Sequence, residues 1–385
     1  MSKQQETSGH ERSTSPLELL LDLVFVVGIV QIVGLLLRDH TALGIGRAAI
    51  VLGLLWWTWS LYARTTDWTG TEKDTIRLTL LGAMGAALLM ARAIPAAFVD
   101  GEGLWFAVPF VVLRLAVQGV HWVGAREDDE RREGLTTFLP LTGLTPVLVL
   151  VGGLLDDPGR SWLWAVAVVV DLAVASVDRG HPSPYYAERN SLFVTVTLGG
   201  SLVAIGLRAA REVATVSLVL AVVFTLIGVA ALWWAYFDRF AAVGIRHMLS
   251  SEADERHRFA RDTYTLLHAL VVAGIVSFAV GATDIVNHPL RRMDAFERYA
   301  FTVGAAVVLL SIGAALYRAE RRIPSERLGG AILLVILAAG GSTLSGRVLA
   351  GIAVVILVGV TISESSSFRT QPKQAPTRQR GRRRR

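Results

Sequence analysis

Pro16-Leu17-Glu18-Leu19-Leu20-Leu21-Asp22-Leu23-Val24-Phe25-Val26-Val27-Gly28-Ile29-Val30-Gln31-Ile32-Val33-Gly34-Leu35-Leu36-Leu37 is the stretch that decides the fold. After its two acids it is almost wholly apolar for more than a dozen residues. At 1.5 Å per residue, about twenty residues cross the roughly 30 Å hydrocarbon layer of a bilayer. A surface helix of a soluble protein would show a polar face over that length, and this one shows none. The preceding segment, Met1 to Ser15, is polar and carries Glu6 and Glu11. It lacks the charged-then-apolar layout of a cleaved signal peptide, so the first apolar segment reads as a retained helix.

The same pattern recurs along the chain. Apolar runs of spanning length are expected near 17–37, 44–62, 77–98, 104–123, 138–155 and 161–178, then near 190–207, 213–237, 262–282, 298–317, 327–343 and 346–363. The expected fold is an all-α polytopic transmembrane bundle of about 12 helices. Between 238 and 262 lies the longest internal loop, rich in charge, where Ser250-Ser251-Glu252-Ala253-Asp254 reads as the start of a short surface helix. Loop charge gives the orientation. With the N-terminus inside, about 27 of the Lys and Arg residues fall in inside segments and about 9 outside. A multi-pass protein of the inner (plasma) membrane with both termini cytoplasmic is therefore expected.

Composition agrees: 52% of the residues are hydrophobic and 18% charged, against about 25% charged in ordinary soluble domains. The net charge of +6 invites a nucleic-acid reading, which its location rejects. Arg369, Lys373, Arg378, Arg380 and Arg382 to Arg385 follow the last apolar run, against the single acid Glu364. Residues 364–385 thus form a basic tail, also rich in Pro and Gln, suited to anionic lipid headgroups rather than to nucleic acid. The chain has no cysteine, which excludes disulfides, thiolate catalysis and zinc–thiolate sites. The partners implied are the lipid bilayer and an ion or small solute, with a homo-oligomer left open.

An internal repeat emerges on comparing halves. The second run ends Trp56-Trp57-Thr58-Trp59, followed by Arg64 and Asp67; the eighth ends Trp233-Trp234-Ala235-Tyr236, followed by Asp238 and Arg239. Glu18 opens the first run and Glu188 the seventh. Residues 16–180 and 185–363 are therefore expected to be two six-helix halves, pointing the same way and related by an axis along the membrane normal.

Charges inside apolar runs mark where chemistry is expected. Glu18 and Asp22 are four apart, stacked on one helical face. An acid at the bilayer centre costs on the order of 3 kcal/mol, so such a pair needs an Arg partner, a proton or a watery cavity. Arg92 and Arg114 lie within the third and fourth runs as partners for Asp22, Asp171 or each other. Arg114, Gln118 and His121 share a face. Glu188 and Arg189 open the seventh run, and His268 sits in the ninth with Asp284 near its far end. The tryptophans at run ends, including Trp56, Trp57, Trp59, Trp162, Trp164, Trp233 and Trp234, read as an interfacial belt. Gly44-Ile45-Gly46-Arg47-Ala48-Ala49 fits a loose dinucleotide fingerprint but follows a membrane helix rather than a strand. There is no P-loop, no His-Glu-x-x-His and no nucleophile elbow, so neither a cofactor nor an enzyme is expected.

The opening Pro16 to Val26 motif, the Trp-rich second run, Ala187-Glu188-Arg189-Asn190-Ser191-Leu192-Phe193 and His268 within Leu266 to Ile275 together resemble the bacterial low temperature requirement A family over about residues 14–363. The resemblance implies a polytopic membrane protein from a family named for a growth phenotype. Members usually follow the Glu-Arg helix with Leu-Gly-Glu, where this chain has Leu198-Gly199-Gly200. The usual His ahead of Glu-Arg is replaced by Tyr185 and Tyr186 nearby. If that acid and His belong to a family site, this half is a variant of it. An acid followed by Val-Phe-Val on the first helix is also similar to the endolysosomal potassium and proton channel family, built from six-helix repeats. Together these readings lead to a transporter or channel, with Glu18 and Asp22 lining a polar cavity and Arg92, Arg114, Glu188, Arg189 and His268 as partners. The rival is a membrane scaffold or stress-linked accessory protein in which the same charges only pin helices.

Overall fold

The computed structural model describes residues 14–125, 129–177 and 183–369, and helices fill nearly all of it. Six membrane helices come first: α1 (Pro16–Leu36), α2 (Ala42–Thr69), α3 (Asp74–Ala93), α4 (Gly103–Ala125), α5 (Asp129–Leu154) and α6 (Gly159–Val177). The second group is α7 (Pro184–Ala209), α8 (Val216–Phe237), the short α9 (Phe240–Ser250) and α10 (Ala253–Ala260), then α11 (His268–Asn287), α12 (Ala295–Glu320), α13 (Ser325–Gly340) and α14 (Gly346–Arg369). No strand occurs among the described residues. Ten of the spans are long and apolar enough to cross a membrane, and α5 adds the apolar stretch Thr142–Leu154. With α6, twelve long helices stand where twelve apolar runs are expected, ten of them meeting that standard.

Local chemistry sets the helix starts. Ser15 caps α1, with Pro16 in the first turn and Glu18 reaching back to complete a capping box. Thr41 caps α2, Ser183 caps α7 ahead of Pro184, and Thr215 caps α8. Three spans run longer than hydropathy indicates. α2 continues past Tyr62 to Thr69, α7 begins six residues before 190, and α14 continues to Arg369, into the stretch expected to be tail. The expected surface helix between 238 and 262 is two helices, α9 and α10. A π-turn, Arg261–Leu267, joins α10 to α11, so the ninth span is entered through one wide turn.

The two groups use the same neighbours. α1 packs on α3, α3 on α4, α4 on α5, α5 on α6 and α2 on α6; likewise α7 packs on α11, α11 on α12, α12 on α13, α13 on α14 and α8 on α14. The groups meet along α1 and α7, with α11 against α1 and α2. Small residues permit the closest of these approaches. A Cβ built on Gly281 of α11 would lie 2.4 Å from Phe301 Cβ of α12, which matches how membrane helices associate without a hydrophobic drive. At the end where α1 terminates, His40 pairs with Glu297 of α12 at 3.3 Å, stapling the two groups a second time.

Candidate functional site

Glu18 and Asp22 lie on the α1 face that meets α7, and both are fully buried. Arg189 of α7 bridges them. Its Nη1 is 3.0 Å from Glu18 Oε1, and its Nη2 donates to Asp22 Oδ1 at 2.6 Å. Around this triad, Tyr185, one turn before Arg189, donates its hydroxyl to Glu18 Oε2 at 2.6 Å. The backbone N–H and hydroxyl of Ser15 donate to the same oxygen at 2.9 and 2.8 Å. Trp59 of α2 donates its indole N–H to Asp22 Oδ1 at 2.8 Å and stacks on Phe193 of α7 at 4.0 Å. Asp22 Oδ2 is buried with no hydrogen-bond partner. Three helices from two groups thus converge on one ionic centre, about one to two turns into the membrane from the start of α1.

Beside it, two sets of hydroxyl contacts lie toward α8 and α11. The Tyr186 hydroxyl lies 3.0 Å from Ser60 Oγ and 3.2 Å from Thr265 Oγ1, while Trp56 donates to the Thr265 carbonyl at 3.0 Å. One turn on, Ser191 Oγ is 3.1 Å from the Tyr236 hydroxyl, which is 2.7 Å from His268 Nε2. His268 Nδ1 is 2.8 Å from the Thr263 carbonyl. A carbonyl only accepts, so Nδ1 carries the proton and Nε2 accepts from Tyr236. The π-turn makes this geometry: the His268 N–H reaches back five residues to that same Thr263 carbonyl, a local widening often found at functional positions.

The expected site residues therefore separate into groups. Glu18, Asp22 and Arg189 come together, and His268 joins the second set of hydroxyl contacts. Glu188 is half-buried on α7, next to Arg189 in the chain. Arg92 is exposed in the last turn of α3, at the opposite end of that helix from the triad. Arg114 instead forms a closed centre inside the first group: Nη2 and Nη1 donate to Asp171 of α6 at 2.8 and 3.3 Å, and Thr145 of α5 donates to the same carboxylate at 2.7 Å. His121 lies against Thr65 and Trp68.

One expectation is corrected outright. Trp56, Trp57 and Trp59 are buried in the bundle, while Trp162 at 72% exposure and Trp233 and Trp234 at nearly half are open on its surface. Trp164 is also buried, donating to the Val149 carbonyl at 2.9 Å. Sequence reading missed Trp59, Tyr185, Tyr186, Ser191 and Tyr236 as site residues. The available signal was spacing, since Tyr185 and Arg189 are four apart on a helix whose partner face holds Glu18 and Asp22.

The model of the bacterial low temperature requirement A protein (LtrA) family matches residues 13–362. The chain belongs to that family. An uncharacterized protein of Rhizobium meliloti (strain 1021), RA0937, is 27% identical over 351 residues, covering 86% of this chain and 83% of its own length. In this LtrA-family chain Gly200 stands where the family pattern noted above has an acid. A Cβ at Gly200 would lie 2.6 Å from Val26 Cγ1 of α1. The α1–α7 seam is therefore closed tightly below the triad, and an acid there would need the two helices further apart.

Proposed function

We propose that this chain is a transporter or channel for an ion or small solute, with its path along the α1–α7 seam. The observation that carries the reading is the fully buried Glu18–Arg189–Asp22 centre, in which each carboxylate faces a guanidinium supplied by the other group of helices. Charges within membrane spans are costly and concentrate on ion and proton pathways. Here Arg189 holds a site that either acid would offer to a cation once α1 and α7 part. No enzymatic role is assigned, and we place the chain in the plasma membrane with both termini cytoplasmic.

A duplicated architecture supports the same reading. The neighbours of α1–α6 recur in α7, α8 and α11–α14. The caps recur as Ser15-Pro16 and Ser183-Pro184, followed at equal distance by Asp22 and Asn190, then by Phe25 and Phe193. Two like halves meeting at a polar centre form the usual frame for alternating access or a shared pore.

The test is flux in proteoliposomes under imposed voltage, with potassium and protons as permeants, wild type beside Asp22→Asn. Flux abolished in a folded Asp22→Asn protein is the expected result. Absence of flux in both proteins, with Asp22→Cys unreactive to a soluble thiol reagent, would leave the scaffold reading, in which these charges only hold the halves together.

A further inference from the structure

At the corner between α12 and α13 lies a groove of about 210 Å³ that the transport path does not use. Leu310, Gly313, Ala314, Tyr317, Pro324 and Arg327 line it. Its mouth faces the lipid: Ile323 beside it is 72% exposed, and Tyr317 and Leu328 are nearly half exposed. Gly313 forms the floor, where an added Cβ would come within 3.1 Å of the Pro324 ring.

The wall is not wholly apolar. Arg327 is buried, and its Nε and Nη2 are used by Glu364 at 3.1 and 2.7 Å. Nη2 also donates to the Ala235 carbonyl at 2.7 Å, but Nη1 is buried with no hydrogen-bond partner. An orphaned guanidinium N–H beside a cavity asks for an acceptor. The rim adds more positive charge. Arg321, whose left-handed φ of 56° ends α12, and Arg322 are both exposed on the turn above the groove. Of the acids nearby, Glu320 is committed to Arg239, and Glu326, in the first turn of α13, accepts from Ser325 Oγ. This corner lies at the same end of the bundle as the start of α1, the side where loop arginines concentrate and where anionic lipid is expected.

We propose that this groove binds one anionic glycerophospholipid, its phosphate on Arg321 and Arg322, an ester carbonyl accepting from Arg327 Nη1, and one acyl chain laid against Gly313 and Ala314. The basic C-terminal tail would also attract anionic lipid, but that attraction is indifferent to the volume at residue 314. The two sources of affinity are therefore separable.

The experiment is native mass spectrometry of the full chain in detergent, titrated with phosphatidylglycerol or phosphatidylcholine. Wild type retains one phosphatidylglycerol in preference to phosphatidylcholine. Arg321→Gln/Arg322→Gln weakens retention about thirtyfold, from about 1 kcal/mol per basic residue at the membrane surface. Ala314→Trp, which fills the groove from its lipid side without touching charge, abolishes the retained molecule. Equal retention of phosphatidylcholine by wild type, or undiminished phosphatidylglycerol in the Ala314→Trp protein, overturns the proposal. The Ala314→Trp arm stands even if the double arginine variant fails to fold.

Discussion

Arg189→Met is the substitution that most directly tests how the two groups of helices are joined. Methionine keeps much of the stem volume and removes the guanidinium that faces Glu18 at 3.0 Å and Asp22 at 2.6 Å. Both carboxylates are fully buried, so water cannot replace the lost cation in the closed structure. Breaking a buried ion pair by removing one partner costs roughly 3–5 kcal/mol, because a charge is left uncompensated. That corresponds to about a 150- to 5,000-fold loss in the folding equilibrium. Denaturant unfolding in detergent micelles, followed by tryptophan fluorescence, reads it, since Trp59 sits in the site. The decisive arm is the triple variant Glu18→Gln/Asp22→Asn/Arg189→Met. Replacing a whole buried ionic cluster by neutral groups is close to neutral and sometimes stabilising, so most of the lost stability returns while ion flux does not. An Arg189→Met protein within about 1 kcal/mol of wild type, as for an exposed pair, refutes the argument. So does a triple variant no more stable than the single one.

Two further substitutions probe the surroundings. Trp59→Phe keeps an aromatic ring against Phe193 but deletes the donor to Asp22 Oδ1, and should cost about 1–3 kcal/mol by the same unfolding assay; a cost near zero would mean the carboxylate has found another donor. Gly244→Ala should cost about 1–3 kcal/mol through overpacking, because a Cβ there would lie 2.2 Å from the Tyr264 hydroxyl. Tyr264→Phe in that background should recover part of the loss, and no recovery would place the clash elsewhere.

The twelve long helices were legible because they depend on a quantity the sequence carries openly, the length of apolar runs, although only ten of them are long and apolar enough to cross a membrane. The Glu18–Asp22 face was legible for a similar reason, since spacing along one helix needs no partner. What failed depends on partners. The seventh span was expected at 190 because Tyr185 to Asn190 breaks the hydropathy, yet those polar residues are inside α7 and form its half of the site. A buried ionic centre and a loop look the same to a hydropathy window. Tryptophan at a span end is ambiguous in the same way. Trp59 and Trp234 differ only in which helices surround them, and one is a buried donor while the other faces lipid. Arg114 pairs with Asp171, 57 residues away on α6, one of the partners expected for it, but the choice among Asp22, Asp171 and Arg92 could be made only by the packing of α4 on α5 and of α5 on α6. The π-turn ahead of His268 changes one hydrogen-bond register and leaves no mark in composition.

The correspondence between halves bears on which of them carries the chemistry. On the duplication proposed above, Asp22 and Asn190 take equivalent places on the first helix of each half, and Trp59 and Tyr236 on the second, in the paired aromatic-rich helix ends. In the first half the indole of Trp59 donates to Asp22. In the second, the Tyr236 hydroxyl meets Ser191, the residue after Asn190, and passes on to His268. Each group thus joins its first and second helices by a side-chain hydrogen bond, but only the first uses a carboxylate there. The second half contributes the cation, Arg189, one position before Asn190, and turns its remaining polar groups into a neutral chain of hydroxyls and imidazole. Charge separation across the seam follows directly: acids on α1, the guanidinium on α7. Reversing it tests whether that asymmetry matters. An Asp22→Asn/Asn190→Asp protein keeps composition and net charge but puts the acid beside Arg189 on its own helix, where it can no longer pull α7 onto α1. If the seam depends on opposite charges facing each other, this swap unfolds at lower denaturant than wild type, by more than Asn190→Asp alone. Equal stability of the swap and wild type would mean that packing, through contacts such as Gly200 on Val26, is sufficient to close the seam.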